Sequence, residues 1–168
     1  MIIGWVVVFA VRLFPWRPPN VEPVMATLMP FAKGYGPVPA FFFGFLSIAL
    51  FDIALGMVGS WTFLTAMSYG LVGVLSYYML RKKVSRGRFV LTGIVGTLAY
   101  DAVTGVLAGP ILFGMPLMQA FIGQIPFTVW HLVGTIGLSY ILSPALYTWV
   151  VTNPSLETPV LRKRFGLS

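Results

Sequence analysis

Carboxylates are the residues of this chain with the clearest chemical potential, and the 168 residues include only four Asp and Glu. Two of them, Asp52 and Asp101, lie inside apolar runs long enough to cross a bilayer. A charge at membrane depth costs roughly 3 kcal/mol on insertion scales, so such residues usually face a protein interior and mark a path for a substrate or an ion. A buried carboxylate would bind a cation or a ligand that donates hydrogen bonds.

The composition sets the class of protein. Hydrophobic residues make up 58% of the chain and charged residues 9%, which leaves too little polar surface for a water-soluble globule. The net charge of +7 comes from Lys and Arg in short blocks between or after apolar runs. That arrangement indicates membrane topology and not a nucleic-acid partner.

Several catalytic and metal-binding patterns are missing from the sequence. It has one histidine and no cysteine, which leaves too few ligands for a protein zinc site. It also lacks a Gly-x-x-x-x-Gly-Lys-Ser/Thr phosphate loop, a His-Glu-x-x-His motif and a Gly-x-Ser-x-Gly elbow. We therefore expect no enzyme activity, no metal and no cofactor.

Hydropathy predicts an all-α, polytopic membrane protein, a bundle of six transmembrane helices. The breaks fall at Gly34–Pro37, Gly59–Ser60, the basic run 81–88 and Gly109–Pro110. The first two spans are short, and Pro126 and Pro144 should kink the last one or end it early. Residues 1–15 lack a basic start and a cleavage site, so we keep them as a mature helix. The predicted apolar runs are 2–15, 21–33, 37–58, 61–80, 89–109 and 118–150.

The distribution of Lys and Arg predicts the orientation. With six spans and a cytoplasmic start, Lys33, the five basic residues of 81–88 and Arg162–Arg164 all fall inside, whereas Arg12 and Arg17 fall outside. Basic residues favour the cytoplasmic side, so both termini should be cytoplasmic. The chain then divides into a transmembrane substrate-binding domain, 1–151, and a basic cytoplasmic tail, 152–168.

This orientation places the polar residues of five helices in the outer half of the membrane. A cavity that opens to the outside is the simplest interpretation, with charged or hydrogen-bonding residues beside two tryptophans. The candidate lining residues are Arg12, Glu22, Asp52, Trp61, Asp101, Gln124, Trp130 and His131.

Each candidate has a structural alternative. Asp52 could equally lock the bundle through a neighbouring helix, and His131 could be a hydrogen-bonded core residue, although Gln124 lies on the same helix face. We expect Arg12 to extend to the membrane interface. Glu22, near Asn20, could serve only to start the second helix.

Small residues recur at helical spacing, as in Ala40 and Gly44, Gly105 and Gly109, and the pairs around Gly70–Gly73 and Gly93–Gly96. Such spacing lets helices approach closely in lipid. We expect internal packing of the bundle, and a docking face for a partner is the alternative.

Several segments together resemble a known family. They are Asn20–Ala26, Gly34–Gly44, Phe51–Ile53 and Trp61–Gly73, and they are similar to the corresponding parts of the substrate-binding S components of energy-coupling factor (ECF) transporters. The resemblance covers most of the chain, including its six helices and the basic loop after the fourth.

The resemblance implies a subunit of a prokaryotic plasma-membrane importer that captures a vitamin or a vitamin precursor. Its partners would be a transmembrane coupling subunit and two cytoplasmic ATPases, so that only the partners use ATP. The first connection, with Trp16, Arg17 and Asn20, would form part of a gate, and Tyr69 would join the substrate-binding residues. One departure concerns docking: many members carry two alanines four apart on the first helix, whereas here Gly4 is followed by Val8.

The charge of the substrate stays open at this point. The carboxylates and His131 favour a cationic or hydrogen-bond-donating ligand, and Trp61 or Trp130 could stack on a flat ring. If Arg12 points inward instead, an anionic group could be bound. The alternative function is a non-transporting scaffold in which Asp52 and Asp101 hold the bundle together and the basic loops recruit a cytoplasmic partner or anionic membrane lipid.

Overall fold

Six helices follow one another in the computed structural model, which describes residues 1–16, 18 and 20–156. They are α1 (Ile2–Arg12), α2 (Val24–Tyr35), α3 (Pro37–Ala54), α4 (Ser60–Leu80), α5 (Arg86–Phe113) and α6 (Leu117–Val151). A 3₁₀ turn, Pro154–Leu156, follows them, and there is no strand in the described ranges. The predicted all-α class and the number of helices are therefore confirmed. Most of the predicted tail, residues 157–168, lies outside the described residues.

The helices differ in their ability to span a membrane. Four of them, α3 to α6, are long and apolar enough to cross one. The first two have 11 and 12 residues, which corresponds to only about 17 Å of helix each. The prediction that the first two spans are short is confirmed.

The short helix α2 lies at the centre of the bundle. All its residues from Val24 to Ala32 are buried, and it packs against α3, α4, α5 and α6. A helix that is apolar on every side belongs in such a position. Because protein and not lipid surrounds it, α2 need not match the thickness of the bilayer.

Gly109–Pro110, predicted as a break between spans, lies inside the fifth helix, which continues to Phe113. For Pro126 and Pro144 we predicted either a kink or an early end of the sixth helix, and the early end is not present, because the helix continues to Val151. A π-helical segment, Ala102–Leu107, precedes Pro110, and another, Tyr147–Val151, follows Pro144. Such local adjustments let a membrane helix continue past proline, because an interrupted helix would expose unpaired backbone groups to lipid.

The predicted break at Gly34–Pro37 is confirmed as a tight turn between α2 and α3. The third predicted span, in contrast, is four residues too long. Gly36 alone joins α2 to α3, with φ of 93°, a backbone conformation that favours glycine. The third helix ends at Ala54 and not at residue 58, and a turn containing Gly56 leads to α4.

Small residues pack helices inside the bundle, as expected. A Cβ at Gly44 of α3 would collide with the backbone carbonyl of Tyr69, and one at Gly73 of α4 would lie 2.5 Å from the carbonyl oxygen of Ala40. The backbones of α3 and α4 therefore touch along this seam. Polar contacts add to the packing elsewhere, such as the bond of 2.7 Å that the Ser143 hydroxyl donates to the carbonyl of Ala26.

Candidate functional site

A cavity of about 180 Å³ lies at the end of the bundle where α1, α3 and α5 finish and α2, α4 and α6 begin. We call this end of the bundle the cavity end. Side chains from α1, α3, α4, α5 and α6 and from the first connection line the cavity. The polar and charged members are Arg12, Asn20, Glu22, Asp52, Thr65 and His131, and the apolar and aromatic members are Ile48, Trp61, Tyr69, Tyr100 and Phe127.

Arg12 turns into the cavity, and the expectation that it extends to the membrane interface was wrong. Its Nε atom lies 3.4 Å from Oε2 of Glu22, and its guanidinium carbon lies 4.0 Å from the ring centre of Phe51. A carboxylate and an aromatic face together compensate the charge of a partly buried guanidinium. The N-cap residue of α2 is Pro23, and no side-chain hydrogen bond caps the helix there.

Asp52 lies in the cavity wall and also holds the turn between α3 and α4. Its Oδ2 accepts a hydrogen bond of 2.6 Å from the Thr62 hydroxyl, whose oxygen in turn accepts one of 3.1 Å from the amide of Gly59. Its backbone carbonyl accepts from the amide of Met57 at 2.8 Å. One carboxylate thus fixes the start of α4, the helix that carries Trp61.

Asp101 does not line this cavity, contrary to the sequence-based expectation. It lies behind His131 and is 2% exposed, with Oδ1 at 2.9 Å from His131 Nδ1 and Oδ2 accepting a bond of 2.7 Å from the Thr128 hydroxyl. The reason is the direction in which α5 presents the residue: Asp101 faces α6, whereas its neighbour Tyr100 faces the cavity.

Aromatic rings surround the histidine. Tyr100 and Phe127 each pack edge-on against the His131 ring with centroids 5.8 Å apart, and Tyr69 lies 4.4 Å from Tyr100. Sequence reasoning missed Tyr100 and Phe127. Phe127 could have been found, because it precedes His131 by one helical turn and therefore shares its face.

The remaining predicted site residues divide into two groups. Trp61, Tyr69 and Asn20 line the cavity. Trp130 does not; its side chain is 56% exposed. Trp16 is 84% exposed beside the cavity end of α1. Arg17, the other predicted gate residue, lies outside the described residues.

A second crevice of about 340 Å³ adjoins the cavity. Trp61, Tyr100 and Phe127 line both spaces, so the three rings form the boundary between them. Gln124 lies in this crevice and not in the cavity, and its side chain closely approaches Gly105 of α5. Within the described residues no group of three or more His, Cys, Asp or Glu could hold a metal ion.

Comparison with known proteins identifies the family. The model of the family described as ECF-type riboflavin transporter, S component, matches residues 1–148, and searches of curated proteins and of solved structures find no significant match. The match confirms the resemblance seen in the sequence, and with the apolar helices it makes the chain a multi-pass membrane transporter subunit and not an enzyme. The chain therefore belongs to the family of S components of ECF-type riboflavin transporters, which are the substrate-specific subunits of these importers.

Proposed function

We propose that this chain captures riboflavin, or a close relative of it, in the cavity and delivers it across the membrane with an ATP-driven coupling module. That module would consist of a transmembrane coupling subunit and two cytoplasmic ATPases. The observation that carries the proposal is a cavity of aromatic and hydrogen-bonding side chains from five helices, in a member of this family.

The lining matches the two halves of riboflavin, a flat ring system and a chain of hydroxyl groups. Trp61, Tyr100 and Phe127 offer aromatic surface for the ring. Arg12, Asn20, Glu22 and Asp52 offer donors and acceptors for the hydroxyl groups.

The space favours a ligand that extends from the cavity into the crevice. The cavity alone, at about 180 Å³, is smaller than typical ligand pockets of roughly 300–1,000 Å³. The adjoining crevice adds about 340 Å³, and the rings at their boundary are where a flat ligand would stack. We infer that the flavin ring lies at this boundary and the hydroxyl chain points toward Arg12 and Asp52.

The positions of the basic residues support capture from outside the cell. Lys33, Arg81, Lys82, Lys83, Arg86 and Arg88 all lie near the end of the bundle opposite the cavity. Because basic residues favour the cytoplasm, the cavity end would face outward. In this orientation Trp16 and Asn20 would lie at the mouth and form part of the gate.

Gly4 and Val8 stand where many family members carry two alanines for docking, but we do not expect the coupling subunit to contact them. Gly4 and Val8 are both buried, and Gly4 lies against the rings of Phe31 and Phe43. We propose that the exposed side of α1, which includes Ile2, Ile3 and Val6, is the surface left for docking.

The proposal is tested by measuring flavin bound to the purified protein. After mild purification, mass spectrometry of the small molecules released from the protein should detect riboflavin or a relative. Titration of riboflavin with ligand-free protein should then quench the flavin fluorescence and saturate at one site. Absence of any flavin binding, in protein shown to be folded by circular dichroism, would contradict the proposal and favour the scaffold alternative.

A further inference from the structure

We propose that Asp101, from outside the cavity, holds the proton of His131 on Nδ1, so that Nε2 presents a lone pair to the cavity and accepts the imide N–H of the flavin ring. Asp101 is then a positioning residue that acts through His131. His131 in turn favours ligands that donate a hydrogen bond to its Nε2 atom. This inference rests on the proposed function for the identity of the ligand but not for the state of the histidine.

The contacts of Asp101 assign the proton. Oδ1 lies 2.9 Å from His131 Nδ1, and Oδ2 accepts from the Thr128 hydroxyl at 2.7 Å. An ionised carboxylate only accepts hydrogen bonds, so Nδ1 is the donor in the bond between His131 and Asp101. The two side chains are 2% and 3% exposed, so protein covers this contact almost completely.

The other nitrogen of the same ring has no partner. His131 Nε2 is buried and makes no hydrogen bond within the part of the chain that the structure describes. The residue lines the cavity, and Tyr100 and Phe127 fix the orientation of its ring from two sides. A buried polar atom without a partner beside a cavity is a place where a ligand group would complete the hydrogen bond.

The neutral form of the ring accounts best for this unpaired atom. In the imidazolium form Nε2 would be a charged donor buried without an acceptor, which costs more free energy than an unpaired lone pair. With the proton on Nδ1 the neutral ring keeps its bond to Asp101 and leaves only an acceptor unfilled. A ligand that donates a hydrogen bond to Nε2 would satisfy this acceptor.

The neighbouring rings indicate which donor this is. Tyr100 and Phe127 flank His131 and also form the boundary at which we place the flavin ring. The group nearest Nε2 would then belong to the ring edge and not to the hydroxyl chain. Oxidised flavin carries a single ring N–H, the imide at N3, so this group would meet the lone pair.

The state of the histidine can be measured without any ligand. The sequence contains one histidine, so ¹⁵N-histidine labelling gives the two ring nitrogens of His131 alone. In detergent or nanodiscs at neutral pH, we expect a protonated Nδ1 and an unprotonated Nε2. A spectrum with the proton on Nε2, or with both nitrogens protonated, would overturn the proposal.

The donor is tested with riboflavin and its N3-methyl derivative. Wild-type protein should bind the methylated flavin at least about tenfold more weakly, and bound riboflavin should shift the Nε2 resonance. In His131→Leu the two flavins should bind equally. An equal loss on methylation in both proteins would overturn the assignment of the imide to His131 but leave the proposed function intact.

The role of Asp101 is tested by a matched pair of variants. Asp101→Asn keeps an oxygen that accepts from Nδ1, so both the tautomer and the discrimination against the methylated flavin should persist. Asp101→Leu removes the acceptor, and both should be lost. Retention of the wild-type tautomer in Asp101→Leu would contradict a positioning role.

If the leucine variant does not fold, the wild-type spectrum and the methylated ligand still decide the proposal. If no flavin binds to wild-type protein, the proposed function fails while the spectrum still tests the tautomer.

Discussion

Two tryptophans of similar exposure have different surroundings in this protein. Trp61, 48% exposed, borders both the cavity and the crevice, whereas Trp130, 56% exposed, borders neither. Both appeared equivalent as stacking residues in the sequence. The structure makes them a matched pair, because the same substitution removes the same side chain at the proposed site and away from it.

We predict that Trp61→Ala weakens riboflavin binding at least about tenfold, because aromatic stacking and buried area at the ring are lost. Trp130→Ala should leave the affinity unchanged. Quenching of flavin fluorescence in titrations of both variants measures the effect. Equal affinities for Trp61→Ala and the wild type would remove Trp61 from the site.

The charges of the cavity predict how it treats a phosphorylated flavin. Among the described lining residues, one guanidinium, Arg12, stands against two carboxylates, Glu22 and Asp52, so an added phosphate would meet more negative than positive charge there. Riboflavin 5′-phosphate should bind at least about tenfold more weakly than riboflavin, since like charges in a confined site repel.

The substitution Glu22→Gln should reduce the difference in affinity between riboflavin and riboflavin 5′-phosphate, because it removes one negative charge from the lining. Lys83→Gln, a charge change at the opposite end of the bundle, should not alter the ratio. Competition titrations with both ligands measure it. Tighter binding of the phosphorylated flavin by wild-type protein would contradict this account of the cavity.

At the scale of the elements, the seam between α3 and α4 brings two helix backbones into contact at glycines of both helices. Gly44 lies against the backbone of Tyr69, and the two helices that meet there also carry Asp52 and Trp61 at the cavity. Gly137 in α6 is the contrast: a Cβ there would have no atom within 4 Å.

Gly44→Ala should therefore lower the stability of the folded protein by about 1–3 kcal/mol, because the methyl group overpacks the seam. Gly137→Ala should leave stability unchanged or raise it by up to about 1 kcal/mol, through the higher helix propensity of alanine. Thermal unfolding, monitored by circular dichroism, compares the stabilities of the two variants. A larger loss in Gly137→Ala than in Gly44→Ala would show that the seam is packed differently.

Helices were predictable from the sequence to different degrees. Their number and the turn at Gly36 followed from hydropathy and from the Gly-Pro pair, which are local properties. The continuation of α5 through Pro110 and of α6 through Pro144 did not, because the π-helical segments that accommodate these prolines depend on surrounding helices and on the cost of exposing backbone to lipid. The apolar sequence of α2 is consistent with its interior position, but the helices that pack around it follow only from the tertiary structure.

For the whole molecule, the distribution of charge predicts the orientation in the membrane. The described basic residues other than Arg12 cluster at the end opposite the cavity, where the ammonium group of Lys33 donates to the carbonyl of Arg81 at 2.9 Å. The cavity end, in contrast, has Arg12 in an ion pair. Both termini should therefore lie in the cytoplasm.

The chain has no cysteine, so single cysteines report the orientation directly. A membrane-impermeant maleimide added to intact cells should label Val58→Cys, in the exposed turn between α3 and α4, but not Lys83→Cys, in the basic loop. Lys83→Cys should react after the cells are permeabilised. The reverse pattern would place the cavity end in the cytoplasm and contradict capture from outside.

The sequence alone determined the membrane class, the six helices, the asymmetry of charge and several cavity residues, including Asp52, Trp61 and His131. These follow from residue type and from spacing along one helix. Only the tertiary structure decided that Arg12 turns inward, that Trp130 turns away, and that Asp101 lies behind His131 instead of in the cavity. The physical reason is that hydropathy gives the depth of a residue, whereas the direction of its side chain depends on how each helix is rotated against its neighbours, and packing between helices sets that rotation.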